Sequence, residues 1–360
     1  MSGLDILLQA KTYREALQRA SSFLSAKQAK ERNQTRTGGQ TRTEAQTCTG
    51  GQTCTEGQMR TEGQMRTEGQ TPSDGQTRTG GRTNADERVY DVQANPQIAR
   101  WLLMHLLNVD QNELISVLDK PISTEHKRSY THWIERVLSG EPYQYIVGSE
   151  EFFGRPFEVN PAVLIPRPET ESLVEAVIER VRKLWPERSS VAGVDVGTGS
   201  GVIATSLALA CPQLSMTAVD ISSEALELAE RNARKHGARV RFVHSDLLQA
   251  LITSKQKVNL IVSNPPYVAE SEREQLSRTV VDYEPHVALF AKEEGLYYYR
   301  QIIGQSTDVL LKPGLIAFEV GHGQAEQVVQ LILNTYPKAR CQIRTDLSGI
   351  ERIVLAAVDN

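Results

Sequence analysis

The fold is decided by the stretch Val191-Ala192-Gly193-Val194-Asp195-Val196-Gly197-Thr198-Gly199-Ser200-Gly201. Its first six residues form an apolar run typical of a buried strand, and residues 202–211, rich in Ala and Leu, follow as a helix. A strand, a glycine-rich turn and a helix in that order allow bare backbone to approach a nucleotide-like ligand. The stretch therefore predicts an α/β domain whose ligand loop consists of Gly197, Thr198, Gly199, Ser200 and Gly201.

Two acidic residues follow this loop at the ends of further apolar strands. Asp220 ends the strand at residues 214–219, where an acid typically accepts the two ribose hydroxyls of a nucleotide-like ligand. Asp246, followed by Leu247, closes the strand at residues 240–245, and we expect it near an adenine ring. The glycines are spaced G-x-G-x-G rather than G-x-G-x-x-G, which argues against a nicotinamide cofactor and its pyrophosphate.

The tetrapeptide Asn264-Pro265-Pro266-Tyr267 follows another apolar run at residues 258–263, which reads as a buried parallel strand. Ligands of open α/β sheets bind beyond the carboxyl ends of such strands. The prolines offer only carbonyl oxygens, so the tetrapeptide forms a rigid acceptor rim for a flat group that carries an NH2. The simpler alternative is a turn, since Asn-Pro commonly opens loops. Together with the glycine loop and Asp220, the tetrapeptide instead points to a methyltransferase that binds S-adenosylmethionine.

At this level of detail the chain resembles the release factor glutamine methyltransferases of the HemK/PrmC type. The motifs that carry the resemblance, besides those above, are Glu141-Pro142-Tyr143-Gln144-Tyr145-Ile146-Val147-Gly148, Leu164-Ile165-Pro166-Arg167-Pro168-Glu169-Thr170-Glu171, Asp282-Tyr283-Glu284-Pro285 with Leu289, and Asp346-Leu347-Ser348-Gly349-Ile350-Glu351-Arg352. The likeness is close over residues 141–360 and loose over residues 1–140. Members often have an aromatic residue after the acid at the adenine site, so Leu247 implies weaker stacking there.

The resemblance implies a two-domain enzyme. Residues 1–140 would form a small helical bundle that helps to grip the substrate, and residues 141–360 a Rossmann-like class I methyltransferase domain with a linker and hairpin at residues 141–190. It also implies S-adenosylmethionine as cofactor and the glutamine of the Gly-Gly-Gln motif in peptide chain release factors as substrate. Asn264, Pro265 and Tyr267 would be catalytic, and Pro266 would join them in binding the substrate amide. The implied cofactor site comprises Gly197, Thr198, Gly199, Ser200, Gly201, Asp220, Asp246, Leu247 and Asn264.

Composition narrows the class of protein further. The net charge of −4 among 360 residues does not suggest a general nucleic-acid binder. The four cysteines show no C-x-x-C spacing and the histidines no H-x-x-x-H pair, so neither a metal site nor a disulfide framework is predicted. The sequence contains neither a leader-like apolar segment nor a run of eighteen apolar residues. We therefore expect a soluble, cytoplasmic monomer without membrane contact.

Two other functions stay open from motif chemistry alone. An exocyclic amine of adenine or guanine poses the same problem as an amide, so a nucleic-acid amino methyltransferase is the main alternative. A basic face or a target-recognition domain would mark it, and the sequence shows neither. A non-catalytic cofactor-binding module is the other, although the intact glycine loop, Asp220 and Asn264 argue against it. No general base is evident, and Glu284 is either a supporting acid near the site or a purely structural one.

Residues 33–80 form consecutive hexads such as Gly57-Gln58-Met59-Arg60-Thr61-Glu62. A β-helix built from hexads needs an aliphatic residue in each turn, and the repeat has almost none. We therefore predict a disordered insertion at residues 33–85 within the helical bundle. The flanking segments are helical, with Tyr13, Leu17, Ala20 and Leu24 on one face before it. After it, Ile98, Trp101, Leu102 and Leu106 share a face.

Deleting residues 33–80 is expected to leave catalysis and stability nearly unchanged, because the hexads contain almost nothing able to join a core. Reconnecting the flanking helices through the remaining loop costs little closure entropy. Thermal unfolding and methylation rates of the deletion variant and the full chain provide the comparison. A cooperative loss of melting temperature on deletion would show that the repeat is structured.

The repeat also contains Gly38-Gly39-Gln40 and Gly50-Gly51-Gln52, which spell the tripeptide that the resemblance assigns to the substrate. A tethered segment is present at high effective concentration, so Gln40 and Gln52 are candidate pseudosubstrates. A repeat built from Gly, Gln and Thr, however, produces this tripeptide by unit variation alone. We expect intact-mass analysis after incubation with cofactor alone to find no added methyl group on residues 33–80. Detection of that methyl group, or relief of inhibition on deletion, would establish a functional role.

Overall fold

The computed structural model describes residues 5–37, 95–186, 190–346 and 348–359. The chain divides into two compact units, Met1–Gln28 with Val89–Asn360, and Ala29–Arg88. Of the second unit only residues 29–37 are described, as the end of a helix. The Gly-Gly-Gln tripeptides and the remainder of the predicted insertion lie outside the described residues.

The amino-terminal part of the first unit is helical. Its helices are α1 (Asp5–Leu8), α2 (Tyr13–Thr37), α3 (Gln97–Leu107), α4 (Gln111–Val117), α5 (Thr124–Ser139) and α6 (Tyr143–Val147). They enclose a separate apolar core in which Leu24, Leu102 and Ile134 are fully buried. Helix ends are set locally: Asp110 forms a capping box with Glu113 at the start of α4, and Gly140 ends α5 with a φ of 106°.

The observed bundle differs from the expected one in three details. Helix α2 continues to Thr37, beyond residue 33 where the insertion was expected to begin, so a deletion of the repeat should start at residue 38. Trp101 was expected on the buried face of α3 but is 40% exposed, whereas the neighbouring Leu103 is fully buried. Ile146 of α6 packs in the bundle core, which therefore extends beyond the expected boundary at residue 140.

The rest of the first unit is an α/β domain. It opens with a hairpin of β1 (Ser149–Phe152) and β2 (Arg155–Glu158). Its main strands are β3 (Val191–Val196), β4 (Leu214–Asp220), β5 (Val240–His244), β6 (Val258–Ser263), β9 (Leu310–Glu319), β10 (Arg340–Thr345) and β11 (Glu351–Val358). A short pair, β7 (Val268–Ala269) and β8 (Phe290–Ala291), stands apart from them. The helices are α7 (Pro168–Leu184), α8 (Val202–Ala210), α9 (Ser223–Lys235), α10 (Gln249–Thr253), α11 (Arg278–Tyr283), α12 (Tyr297–Ser306) and α13 (Ala325–Thr335).

The main sheet has the strand order β10-β11-β9-β6-β3-β4-β5. From β9 through β6, β3 and β4 to β5, adjacent strands are parallel. At the other edge, β11 is antiparallel to both β9 and β10. The chain runs outward from β3 through β4 to β5 and then returns to the other side of β3 as β6. The order therefore reverses between β3 and β6, and a crevice opens at the carboxyl ends of these two strands.

Both faces of the sheet are covered, which explains why the strands read as continuous apolar runs. On one face, Leu260 and Val262 pack in a core with α7 and α8. On the other face, Val258 and Ile261 pack in a second core with α12 and α13. Leu260, Ile261 and Val262 alternate between the two cores, as successive residues of a strand do, whereas the pairing of β6 with β9 is irregular between Val258 and Leu260.

A smaller apolar cluster joins the helical bundle to the α/β domain. Tyr145 of α6 packs there with Val163 and Ile165 of the following loop and with Leu228 of α9. The Tyr145 hydroxyl donates to the Val163 carbonyl at 2.6 Å, and the Tyr283 hydroxyl donates to the Ser139 carbonyl at 3.3 Å. Two of the motifs that carried the resemblance, at residues 141–148 and 282–285, thus lie at this junction.

Asn232 connects the hairpin to the glycine loop from a fully buried position on α9. Its Oδ1 accepts from the Glu158 N–H at 2.7 Å, and its Nδ2 donates to the carbonyls of Glu158 and Ser200 at 3.0 and 2.9 Å. No apolar side chain can satisfy these backbone groups, which lie away from water. A buried backbone group left without a partner costs about 1–3 kcal/mol.

Replacing Asn232 is therefore expected to destabilise the protein. Asn232→Ala should lower the free energy of unfolding by about 3 kcal/mol, because three backbone groups lose their partner. Urea unfolding of the full chain measures the change, with Asn112→Ala as control. The exposed Asn112 side chain makes none of the hydrogen bonds described for the chain, so this variant should stay within about 0.5 kcal/mol. Equal stability of the two variants would contradict the structural role of Asn232.

Candidate active site

A cleft of about 180 Å³ lies at the carboxyl ends of β3, β4, β5 and β6. The structure brings most of the predicted site residues into its wall: Gly197, Thr198, Gly199, Ser200, Asp220, Asp246, Leu247, Asn264, Pro265 and Pro266. Gly201 and Tyr267 are the two predicted site residues that do not line it. The loop at residues 162–167 and Tyr298 of α12, which the sequence analysis did not assign to the site, complete the wall.

The glycine loop presents bare backbone to this cleft. Gly197 and Gly199 have φ values of 71° and 54°, and a Cβ on either would meet no atom within 4 Å. Gly201 has a different role, since a Cβ there would lie 2.9 Å from the Ala229 Cβ on α9. Because Gly201 has no Cβ, α8 and α9 can pack closely behind the loop. The loop thus combines an open ligand face with a tightly packed back.

Most backbone N–H groups of the loop are already used within the protein. Those of Gly197 and Thr198 donate to the Val219 carbonyl at 2.9 and 3.0 Å, and that of Gly201 donates to the Thr198 carbonyl at 2.9 Å. A pyrophosphate site needs several such donors free to point at the anion. The loop therefore offers close approach rather than anion binding, in agreement with the argument from glycine spacing.

Asp220 is held by two backbone donors at the end of β4. Its Oδ2 accepts from the Gly199 N–H at 2.9 Å, and its Oδ1 accepts from the Ser222 N–H at 2.9 Å. Each oxygen of an ionised carboxylate has a second acceptor position. The side chain lines the cleft, so these remaining positions suit a pair of ligand hydroxyls.

Asp195, within β3, is a supporting residue that the sequence analysis did not single out. It is fully buried, and its Oδ2 accepts from the Thr198 hydroxyl at 2.7 Å and from the Ala204 N–H at 3.2 Å. Burial raises the pKa of Asp195 to about 7, and the negative charge of Asp220 adds to the effect. The available signal was an acid within an otherwise apolar strand directly before the glycines.

Asn264, directly after β6, is oriented by two side chains from other elements. Its Nδ2 donates to the Thr170 hydroxyl at 3.2 Å, and that hydroxyl donates to the Glu319 Oε2 at 2.6 Å. Glu319 ends β9 and is 2% exposed. Burial raises its pKa to about 7, and side-chain hydrogen bonds from Thr170 and, more weakly, directly from Asn264 oppose this rise. With its NH2 directed to Thr170, Asn264 keeps its Oδ1 as an acceptor.

Tyr267 lies beside the second core rather than in the wall of the cleft. Its carbonyl accepts from the Gln324 Nε2 at 3.0 Å, and a Cβ at Gly321 would lie 3.1 Å from its ring. Burial raises the pKa of the Tyr267 hydroxyl, and the charge of Glu319 adds to the rise. Direct contact of this ring with a flat substrate amide stays a prediction.

Glu284 is a structural acid that holds the loop before α7. It is 4% exposed, its Oε2 accepts from the Ile165 N–H at 3.2 Å, and its Oε1 accepts from the Arg167 guanidinium. Arg167 itself lines the cleft. The hydrogen bonds therefore connect the motifs at residues 164–171 and 282–285. Glu284 itself does not line the cleft.

The side of the cleft near β5 contains Asp246, which is exposed, and Leu247, which has a φ of 49°. Leu247 packs partly against the second core. Tyr298 lies close enough for the charge of Asp246 to help burial raise the pKa of its hydroxyl. An aromatic ring thus stands in the wall near Asp246 even though none follows it in the sequence.

Across the ranges that the structure describes, no cluster of side chains is suited to hold a metal ion. The same ranges contain no helix with the length and apolar character that crossing a membrane requires. Cys211 and Cys341 are free thiols in the structure. Cys48 and Cys54 lie outside the described residues.

Two protein families match parts of the chain. Residues 175–283 match the family described as Methyltransferase small domain, and residues 89–148 match the one described as PrmC N-terminal domain. The first match contains the glycine loop, Asp220 and Asn264. The second contains α3 to α6 and ends at residue 148, in agreement with the packing of α6 in the bundle core.

Curated relatives are similar over most of the chain. The release factor glutamine methyltransferase of Bacillus cereus is 41% identical over 259 residues, which cover 72% of this chain and 91% of that protein. The enzyme of the same description from Bacillus subtilis is 40% identical over 260 residues, covering 72% and 90%. A solved structure, the release-factor-specific protein-(glutamine-N5) methyltransferase from Alicyclobacillus acidocaldarius, is 33% identical with a TM-score of 0.37, covering 57% of this chain and 100% of that one.

Proposed function

The chain belongs to the release factor glutamine methyltransferase family, and from this premise we propose its reaction and its substrate. It transfers a methyl group from S-adenosylmethionine to the side-chain amide nitrogen of a glutamine. The glutamine is the one in the Gly-Gly-Gln motif of peptide chain release factors. The observation that carries the proposal is the position of Asn264 and Pro265 in the wall of the cleft, with the Asn264 NH2 directed to Thr170.

The residues of the cleft fit S-adenosylmethionine. Gly197 and Gly199 leave room for close approach, and Asp220 keeps acceptor positions for the ribose hydroxyls. Asp246 and Leu247, with the ring of Tyr298, are placed to contact the adenine. When bound, the cofactor supplies an activated methyl group; the protein contributes binding, orientation and electrostatics.

The substrate amide needs help because its nitrogen lone pair is delocalised into the carbonyl. Two acceptors that hold its two N–H bonds would favour a more pyramidal, more nucleophilic nitrogen. Asn264 and Pro265 can provide them, since the Asn264 Oδ1 is left free by the orientation of its amide and a proline carbonyl is fixed by a rigid backbone. Holding the nitrogen in one orientation supplies much of the rate.

Among the described residues of the site, we propose none as a dedicated general base. Asp195 is enclosed behind the glycine loop by Thr198 and Ala204, and Glu284 is occupied by Ile165 and Arg167. An acceptor rim that binds the neutral amide is sufficient for orientation. Methylation leaves a positively charged and strongly acidic nitrogen, and its proton passes to solvent water. The same logic would serve an exocyclic amine of a nucleic acid, so the substrate has to be tested directly.

The remaining parts of the proposal concern how the protein substrate is held, the oligomeric state and the location. The helical bundle helps to grip the release factor beside the cleft, since α6 and Tyr283 connect it to the loops of the site. We retain the monomeric state and the cytoplasmic location expected from the sequence. No direct nucleic-acid contact is part of the proposal.

Purified full-length protein and labelled S-adenosylmethionine provide the test. Release factor, DNA and ribosomes are offered separately, and a release factor whose Gly-Gly-Gln glutamine is changed to alanine serves as matched control. We expect label in the intact release factor alone, with the added methyl group on that glutamine by peptide mass spectrometry. Label in DNA or ribosomes, or equal labelling of the control release factor, would contradict the proposal.

Asn264→Ala is expected to reduce methyl transfer by roughly 10²–10³-fold, because one of two acceptors of the amide is lost. Single-turnover rates with saturating cofactor measure this effect, and circular dichroism confirms that the fold is retained. Activity within a few-fold of the unmodified protein would contradict the role of Asn264.

Asp220→Ala is expected to weaken cofactor binding instead, because the acceptors for the ribose hydroxyls are removed. Isothermal titration with S-adenosylhomocysteine, the demethylated product, gives the dissociation constant without turnover. A raised dissociation constant with a smaller effect on the rate at saturation is the expected pattern. Unchanged affinity would count against this assignment of Asp220.

A further inference from the structure

A chain of hydrogen bonds connects the cleft to a buried carboxylate. It runs from the Asn264 Nδ2 to the Thr170 hydroxyl at 3.2 Å and from that hydroxyl to the Glu319 Oε2 at 2.6 Å. Its members come from the end of β6, the first turn of α7 and the end of β9. Thr170 is 4% and Glu319 is 2% exposed, so the bond between them is shielded from water, whereas Asn264 is half-buried at the cleft.

Which group donates in each of these hydrogen bonds depends on the charge of Glu319. An ionised carboxylate can only accept, so the single hydroxyl proton of Thr170 must be directed to it. The Thr170 oxygen is then an acceptor toward Asn264 and selects its NH2 group, which leaves the Asn264 Oδ1 for the cleft. A protonated Glu319 could instead donate to Thr170, and the hydroxyl proton could then point to Asn264. In that state Thr170 would favour the Asn264 Oδ1, and the NH2 group would face the cleft.

We propose that Glu319 and Thr170 are positioning residues for methyl transfer, and that ionised Glu319 holds Asn264 in the orientation that accepts the substrate amide. The effect on kcat rests on the proposed function, whereas the orientation of the Asn264 amide does not. An Asn264 that presents NH2 to the cleft would oppose another NH2, so substrate orientation would fail although the cofactor site is intact.

Several charged and titratable groups face Glu319. Arg352 on β11 favours its ionised form, Glu169 on α7 disfavours it, and Tyr267 and Tyr299 lie close enough to interact with it. The Tyr299 hydroxyl donates to the Glu319 carbonyl at 2.9 Å, which anchors its backbone. Burial is the largest effect and raises the pKa of Glu319 to about 7. The fraction with ionised Glu319, and with it kcat, should therefore rise as pH increases through this value.

Kinetic tests separate positioning from packing. Thr170→Val keeps the shape but removes the hydroxyl, and we expect kcat to fall by roughly 10²-fold with a smaller change in the dissociation constant for S-adenosylhomocysteine. Thr170→Ser restores the hydroxyl and should return kcat to within a few-fold. Thr205→Val is the matched control, because Thr205 is fully buried with a hydroxyl that has no described partner, and it should leave kcat unchanged. Equal kcat in Thr170→Val and Thr205→Val would overturn the proposal.

Glu319→Gln tests the charge. A glutamine cannot ionise, so the rise of kcat with pH near 7 should be lost, with kcat below that of the unmodified protein at pH 8.5. Asp195 also has a pKa near 7 and is left intact in this variant. Persistence of the same pH dependence in Glu319→Gln would therefore assign it elsewhere and contradict the proposal.

A measurement without substrate keeps the inference separate from the proposed function. The side-chain NH2 resonances of Asn264, assigned in ¹⁵N-labelled protein with S-adenosylhomocysteine bound, should shift with pH around the pKa of Glu319. The shift should vanish in Glu319→Gln, become smaller in Thr170→Val, where the direct interaction of Asn264 with Glu319 remains, and persist in full in Thr205→Val. Resonances insensitive to pH in the unmodified protein would overturn the proposal. If release factor is not methylated but the shift is present, the proposed function fails and the structural part of this inference stands.

Discussion

Parallel pairing of β3 with β6 is the constraint on which the rest of the structure depends. Gly193 lies opposite Leu260 and Asp195 opposite Val262, so the two strands end side by side. The Ser263 hydroxyl donates to the Val196 carbonyl at 2.6 Å and joins the strand ends directly. Since the chain continues to opposite sides from these two strands, their loops separate and leave a crevice between them. The glycine loop and Asn264 face each other because of this pairing.

Besides Glu284, two buried carboxyl groups support the site that a purely structural core would avoid. Asp195 and Glu319 stand in or at the end of parallel strands, where burial disfavours their charged forms. Each is compensated by donors from a neighbouring element: Thr198 and Ala204 for Asp195, and Thr170 for Glu319. These bonds fix the glycine loop and Asn264 in one arrangement. Apolar replacements of similar volume could stabilise the fold but could not orient these groups.

Local patterns in the sequence were sufficient for β3, β4, β5 and β6 and for the glycine loop. The apolar runs at residues 191–196 and 258–263 match β3 and β6. Strands that are covered on both faces appear in the sequence as continuous apolar runs, so their bounds are easily recognised. Asp220 and Asn264 could be placed at the cleft because parallel strands end at one edge of the sheet. Motif chemistry gave a class of reaction, and resemblance was needed to give the substrate.

The parts that could not be predicted depend on contacts between distant segments. Thr170 and Glu319 lie 149 residues apart in sequence, and although Thr170 belongs to one of the motifs that carry the resemblance, no local pattern connects it to Glu319. Trp101 was placed on the buried face of α3, yet it packs against Tyr143 of α6 with tilted rings whose centroids are 5.2 Å apart, and it stays exposed. Periodicity alone cannot distinguish a core position from such an edge. Tyr267 was likewise assigned from its neighbours in sequence, whereas its packing is set by Gly321 and Gln324.

The central claim is that the Asn264 Oδ1 and the Pro265 carbonyl accept the two N–H bonds of a glutamine amide. A crystal structure of the full chain with S-adenosylhomocysteine and a release factor tests it most directly. Our account predicts that the glutamine nitrogen lies about 2.8–3.2 Å from both oxygens, with the Asn264 Nδ2 still on Thr170. A glutamine nitrogen bound by other groups, or an Asn264 that directs its NH2 into the cleft, would contradict it.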